Sequence, residues 1–155
     1  MNKEITIEDA LKEAVNREET SYEFYKQLHS YVNDLGTKAL VNELAEEEKS
    51  HIEILHSILN NKKIDEIKLG AKCYIIDLGL TRQVRPEVIT EDMPVEAVLR
   101  IAIRYAENAR KFYDNLADKL RGENVENLFR QLAHEEMCHR NNFQLLYDEL
   151  VFKEN

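Results

Sequence analysis

The chain has no tryptophan, only four glycines and two prolines, and just two cysteines in 155 residues. So few helix breakers over this length point to an all-helical protein of one domain. Cys73 and Cys138 stand far apart and no Cys-x-x-Cys occurs, which excludes a four-cysteine iron or zinc site within the chain. Two distant cysteines give little support for a disulfide, so reduced thiols and a cytoplasmic location are expected. No apolar run approaches the ~18–20 residues of a membrane span, and the opening MNKEITIEDALKEAV lacks the apolar centre of a signal peptide. A long basic run is missing too. The formal charge of -9 argues against nucleic acid and against an anionic membrane surface as partners. Most of this acidity is a solvated surface, but carboxylates that ligate cations also leave a formal negative charge for metal to offset.

What is present is a repeat. Residues 14–25, AVNREETSYEFY, align with 102–113, AIRYAENARKFY, and residues 44–51, LAEEEKSH, align with 132–139, LAHEEMCH. Both pairs share one offset of 88 residues. It maps Ala14 to Ala102, Phe24-Tyr25 to Phe112-Tyr113, Glu48 to Glu136 and His51 to His139. Two repeats are too few for a solenoid, whereas two helical hairpins that bury their faces against each other make a four-helix bundle. The helical period predicts a first helix over 7–33, opened by Thr6 with Asp9 in the manner of a capping box and closed by a turn at Asp34-Leu35-Gly36. The second is predicted over 37–59. The third begins near Pro94 and is closed by Arg121-Gly122, and the fourth runs over 124–150. The hairpins thus span about 7–59 and 94–150, with a crossover at 60–93. A helix of ~23 residues is about 35 Å long, a distance that about 11 extended residues cover, so the crossover can run back along the bundle. Residues 71–80 within it could form a short strand or an extended cover, and so long a link is expected to carry a function such as a dimer contact.

Each helix shows an inward apolar stripe, and charged residues interrupt it. Glu18, Glu48, His51, Glu136 and His139 stand where the stripe calls for apolar side chains. An unpaired buried carboxylate costs several kcal/mol or shifts its pKa until it is neutral. In Glu-x-x-His the two groups lie on one side of one helix. Two such pairs, on the second and fourth helices, can converge across the core, the arrangement by which helix bundles hold two iron or manganese ions. Oxygen and imidazole donors suit Fe(II), Mn(II) or Zn(II). A single Glu-x-x-His arises often in Glu-rich helices, but two at symmetric repeat positions favour a metal site over a buried Glu–His hydrogen-bonded network. Cys138 is rotated off the stripe, His29, His56 and His134 fall at its edges, and Glu46-Glu47 reads as a solvated face.

The pattern A-[hydrophobic]-x-x-E-x-x-x-x-x-F-Y followed by L-A-x-x-E-x-x-H resembles the rubrerythrin-like members of the ferritin-like superfamily, over about 7–59 and 95–150. The resemblance implies a ferritin-like bundle with one long crossover, in which Glu18 is the first helix's carboxylate ligand. By it, Glu48 and Glu136 bridge two metals, and His51 and His139 are the terminal nitrogen ligands. Tyr25 and Tyr113 match the family's inner tyrosine, which packs near the site; ordinary core aromatics are an equal reading. It implies a non-haem di-metal, di-iron (Fe2+/Fe3+) oxidoreductase acting on peroxide or dioxygen, and a homodimer. Full rubrerythrin carries a rubredoxin module that supplies electrons. With no such module in this sequence, an external donor protein is expected.

One position departs from the pattern. The residue 88 positions after Glu18 is Ala106, and the nearest acid is Glu107. One residue is about 100° around a helix, so Glu107 reaches the site only if the helix is locally rewound, as by a π-bulge. Without it the site has five ligands. Two further readings therefore stay open: a metal-binding or iron-handling protein without redox turnover, and a structural bundle that has lost its metal.

Overall fold

The structure is a computed structural model that describes residues 4–61 and 93–154. The expectations for residues 62–92, including the strand at 71–80 and Cys73, lie outside the described residues. The described chain forms four helices: α1 (Ile7–Tyr31), α2 (Leu35–Asn61), α3 (Val95–Lys119) and α4 (Glu126–Glu154).

Local chemistry sets the ends. Thr6 caps α1, its hydroxyl accepting from the Asp9 amide at 3.1 Å. The turn expected at Asp34-Leu35-Gly36 belongs instead to the start of α2. Asp34 Oδ2 accepts from the Thr37 amide at 2.9 Å and from the Thr37 hydroxyl at 2.7 Å. The Asp34 carbonyl accepts from the Lys38 amide at 2.9 Å. An aspartate able to satisfy first-turn donors starts a helix more readily than it ends one. Pro94 sits at the N-cap of α3, and its carbonyl accepts from the Ala97 and Val98 amides. Gly122, at φ 86°, closes the α3–α4 turn as expected, in the left-handed region that glycine enters without strain.

The helices pack as two hairpins, α1 with α2 and α3 with α4; across the hairpins α1 meets α3 and α2 meets α4. Cross-hairpin pairs run in opposite directions along both seams. Glu18 meets Tyr113 while Ser21 meets Tyr105, and Glu47 meets His139 while His51 meets Glu135. Two apolar clusters fill the ends. One gathers Ala10, Leu11, Leu55, Ile58, Leu116, Leu120 and Phe129. The other gathers Leu28, Val32, Val41, Leu44, Val98, Leu99 and Phe143. Ile58, near the end of α2, lies in the first cluster, and Val95, at the start of α3, packs on the second. The ends joined by the crossover therefore lie at opposite ends of the bundle, the relation expected of a ferritin-type link. None of the described helices is long and apolar enough to cross a membrane.

The fold makes one simple prediction. Asp34→Ala should destabilise the protein by about 1–2 kcal/mol, because it removes a cap and strands the buried Thr37 hydroxyl. Urea unfolding would show a lower midpoint with an unchanged slope.

Candidate metal centre

Between the two apolar clusters lies a polar layer. Glu18 from α1, Glu48 and His51 from α2, and Glu136 and His139 from α4 all point into it, and none is more than 4% exposed. The five side chains predicted from the interrupted stripe are thus brought together. They form two overlapping triads, Glu18–Glu48–His51 and Glu48–Glu136–His139, each with one donor atom per residue within 4.8 Å of the others. Glu48 belongs to both.

The facing atoms are not hydrogen-bonded. Glu18 Oε2, both Glu48 oxygens, Glu136 Oε2, His51 Nδ1 and His139 Nδ1 are buried and have no hydrogen-bond partner among the described residues. His139 Nδ1 stands 3.4 Å from Glu48 Oε1 and 3.4 Å from Glu136 Oε2, and His51 Nδ1 stands 3.6 Å from Glu18 Oε2. Donors sharing one cation at ~2.1 Å in a tetrahedral array stand ~3.4 Å apart. Buried polar atoms normally find partners, and three carboxylates buried close together repel one another. A cation answers both problems, and oxygen with imidazole nitrogen suits Fe(II), Mn(II) or Zn(II). The residues present therefore fit a metal, and they fit two positions that share Glu48.

The far nitrogen of each imidazole is held by the opposite hairpin. His139 Nε2 lies 2.8 Å from Glu47 Oε2, and His51 Nε2 meets Glu135 Oε2. Glu135 is 3% exposed and Glu47 is half-buried. A carboxylate on Nε2 fixes the tautomer that leaves the Nδ1 lone pair facing the triads. The sequence reading missed both acids and placed Glu47 on a solvated face, which holds only for the exposed Glu46. The signal was available, since the 88-residue offset also pairs Glu47 with Glu135.

Burial opposes protonation of His51, but the carboxylates of Glu135 and Glu18 outweigh it and hold its pKa up at about 10. The same contest at His139, decided by Glu136 and Glu47, also ends at about 10. Burial pushes the Glu18 carboxyl upward, against the pull of His51 and Tyr113. Without metal, the two imidazoles thus hold their protons well above neutral pH.

The two inner tyrosines differ. Tyr113 donates to Glu18 Oε1 at 2.6 Å. Tyr25 is fully buried and its hydroxyl has no partner among the described residues. Burial, reinforced by nearby carboxylates, raises both phenols well above their ordinary value, so both keep the O–H. Ala106 lies on the buried face of α3.

Glu107 does not join the five. The rewinding that would turn it inward does not occur, because α3 is uninterrupted α-helix. Its carboxylate is bound by Arg110 and by Arg140 Nη1, the latter at 2.6 Å. Partial burial would raise this carboxyl, but the two guanidiniums outweigh it and hold it below the usual range. Of the edge histidines, His29 is half-buried, and His56 and His134 are exposed. The reduced thiol expected at Cys138 is not found. Cys138 is fully buried and disulfide-bonded, which removes the thiol argument for a reducing compartment.

The class that fold and site define is a ferritin-like four-helix bundle with a buried carboxylate–imidazole cluster able to hold metal. The rubrerythrin family model matches residues 97–155, the second hairpin. A crystal structure of a Thermotoga maritima protein, provisionally described as a ferritin-like diiron-carboxylate protein, shares the fold with a TM-score of 0.67. The two are 23% identical over 96% of this chain and 99% of that one. No protein of curated function matches the chain. The resemblance read from the motifs is borne out by the family model on the second hairpin and by the fold across the chain.

Two predictions follow from this geometry. Glu135→Gln or Glu47→Gln should weaken metal binding by about 10–100-fold, since each loosens the imidazole it orients; competition with a chromogenic chelator measures this. In the chelated protein, both histidines are raised above their unfolded value near 6.5. Their stabilisation is complete below that value and is lost as the pH rises through about 10. The melting temperature of the chelated protein should therefore fall between pH 7 and pH 10.

Proposed function

We propose that the chain is a non-haem di-metal carboxylate protein that binds two irons and reduces peroxide or dioxygen in the manner of rubrerythrin. The observation that carries the proposal is the pair of overlapping triads whose buried donor atoms face one another without hydrogen bonds. Two ferrous ions held there would supply the two electrons that peroxide reduction needs.

The residues' parts follow from their positions. Glu18 and His51 complete the first triad, Glu136 and His139 the second, and Glu48 joins them. The carboxylates offset cationic charge in a medium of low dielectric, where such attraction is strong. Glu47 and Glu135 orient the imidazoles. Tyr113 fixes Glu18. Apolar clusters close the layer above and below. An external electron-donor protein and a homodimer are part of the proposal, and Mn(II) or Zn(II) are alternative occupants.

A second reading is favoured by Ala106, which leaves α3 without an inward carboxylate. On that reading the site holds metal without redox turnover. Metal analysis after anaerobic purification separates the two. The first expects about two irons per chain and a fast absorbance change on adding peroxide. The second expects about one metal, similar affinity for Zn(II) and Fe(II), and no response. Metal well below one per chain would sink both. A shared ligand also has a signature. Glu48→Ala should abolish binding at both positions and lower the melting temperature of the metal-loaded protein. In the chelated protein the same change should be neutral or stabilising, because it removes a buried charge.

A further inference from the structure

We propose that this chain takes up a small carboxylate-type anion at the place where the repeat has a glutamate and α3 has Ala106. The anion would lie beside the metal of the Glu48–Glu136–His139 triad and accept from the phenol of Tyr25. The inference rests on the di-metal reading above and adds a ligand class to it.

The offset that maps Tyr25 to Tyr113 maps Glu18 to Ala106. In one half of the bundle the pair is complete, with Tyr113 donating to Glu18 Oε1 at 2.6 Å. In the other half the phenol is present and the carboxylate is not. Tyr25 is fully buried and its O–H has no partner among the described residues. Bulk solvent does not reach it. Its ring stacks on Phe143 with centroids 5.9 Å apart and meets His139 and Tyr105 edge-on, each at 6.1 Å. The contact with His139 ties Tyr25 to the second triad, just as Tyr113 is tied to the first.

Charge and size select the ligand. Two divalent cations carry four positive charges and the inner layer has three glutamates, Glu18, Glu48 and Glu136. Among the groups that face the triads this is one carboxylate fewer than the positive charges, Glu47 and Glu135 being engaged at the far imidazole nitrogens, and the repeat puts the missing one at Ala106. An alanine lacks what a glutamate has beyond Cβ, a methylene and a carboxylate, which are the heavy atoms of acetate. Glu107 cannot supply the charge, because Arg110 and Arg140 hold it. Tyr25 offers a donor and no charge, which suits an anionic oxygen. Formate, acetate and hydrogen carbonate share this chemistry.

The test uses the full chain loaded with Co(II), whose visible absorption reports its ligands. Acetate titrated into this protein should give a saturable spectral change. Tyr25→Phe, which keeps the ring, should raise the half-saturating acetate concentration at least tenfold. Ala106→Glu should abolish the response and give a spectrum close to that of the acetate-saturated parent. Should cobalt bind while acetate leaves the spectrum unmoved, this inference is overturned and the di-metal reading stands. Equal acetate affinity in the parent and Tyr25→Phe would also overturn it. Failure of cobalt to bind at all would overturn both.

Discussion

Three glutamates buried in one cross-section of a helix bundle, with no arginine or lysine among them, set the terms for the rest of this molecule. At low dielectric such groups repel strongly, and each would be neutralised or exposed if nothing opposed it. Here Glu18, Glu48 and Glu136 are held inside by three helices whose apolar ends are well filled. The imidazoles of His51 and His139 are the cationic groups that pair with them among the described residues, and their Nδ1 atoms lie 3.4–3.6 Å from the nearest inner carboxylate oxygens, with no hydrogen bond made. The layer is built to contain positive charge, whether protons or metal.

The outer carboxylates show how the hairpins share this work. Glu47 belongs to the first hairpin and holds His139 of the second, while Glu135 of the second holds His51 of the first. Neither hairpin can orient its own imidazole. Docking of the two hairpins therefore completes the site, and metal held there would add to the stability of the pairing. The same crossing explains why two Glu-x-x-His segments in sequence make one centre in space.

Duplication also makes the departure readable. A twofold repeat predicts equal halves, and Tyr113 with Glu18 fulfils that on one side. On the other, Ala106 leaves Tyr25 with a buried O–H and no acceptor among the described residues. A position that would be unremarkable in a single bundle becomes informative because its counterpart is present in the same chain.

Much of this could be read from the chain alone. The four helices, the offset that pairs them and the five residues that break the apolar stripes are all periodic features, and period needs no knowledge of neighbours. Ala106 was visible for the same reason. The polar contacts made between elements were not. Asp34 looked like the end of one helix and caps the next, because a cap is defined by the amides it meets. Glu47 looked solvated until α4 brought His139 against it. Glu107 was ambiguous until Arg140, 33 residues away in sequence, took its carboxylate. Spacing determined which residues could face inward; only the packing of one hairpin on the other decided which partner each of them met, since hydrogen bonds and ion pairs depend on distances between helices that no single helix encodes.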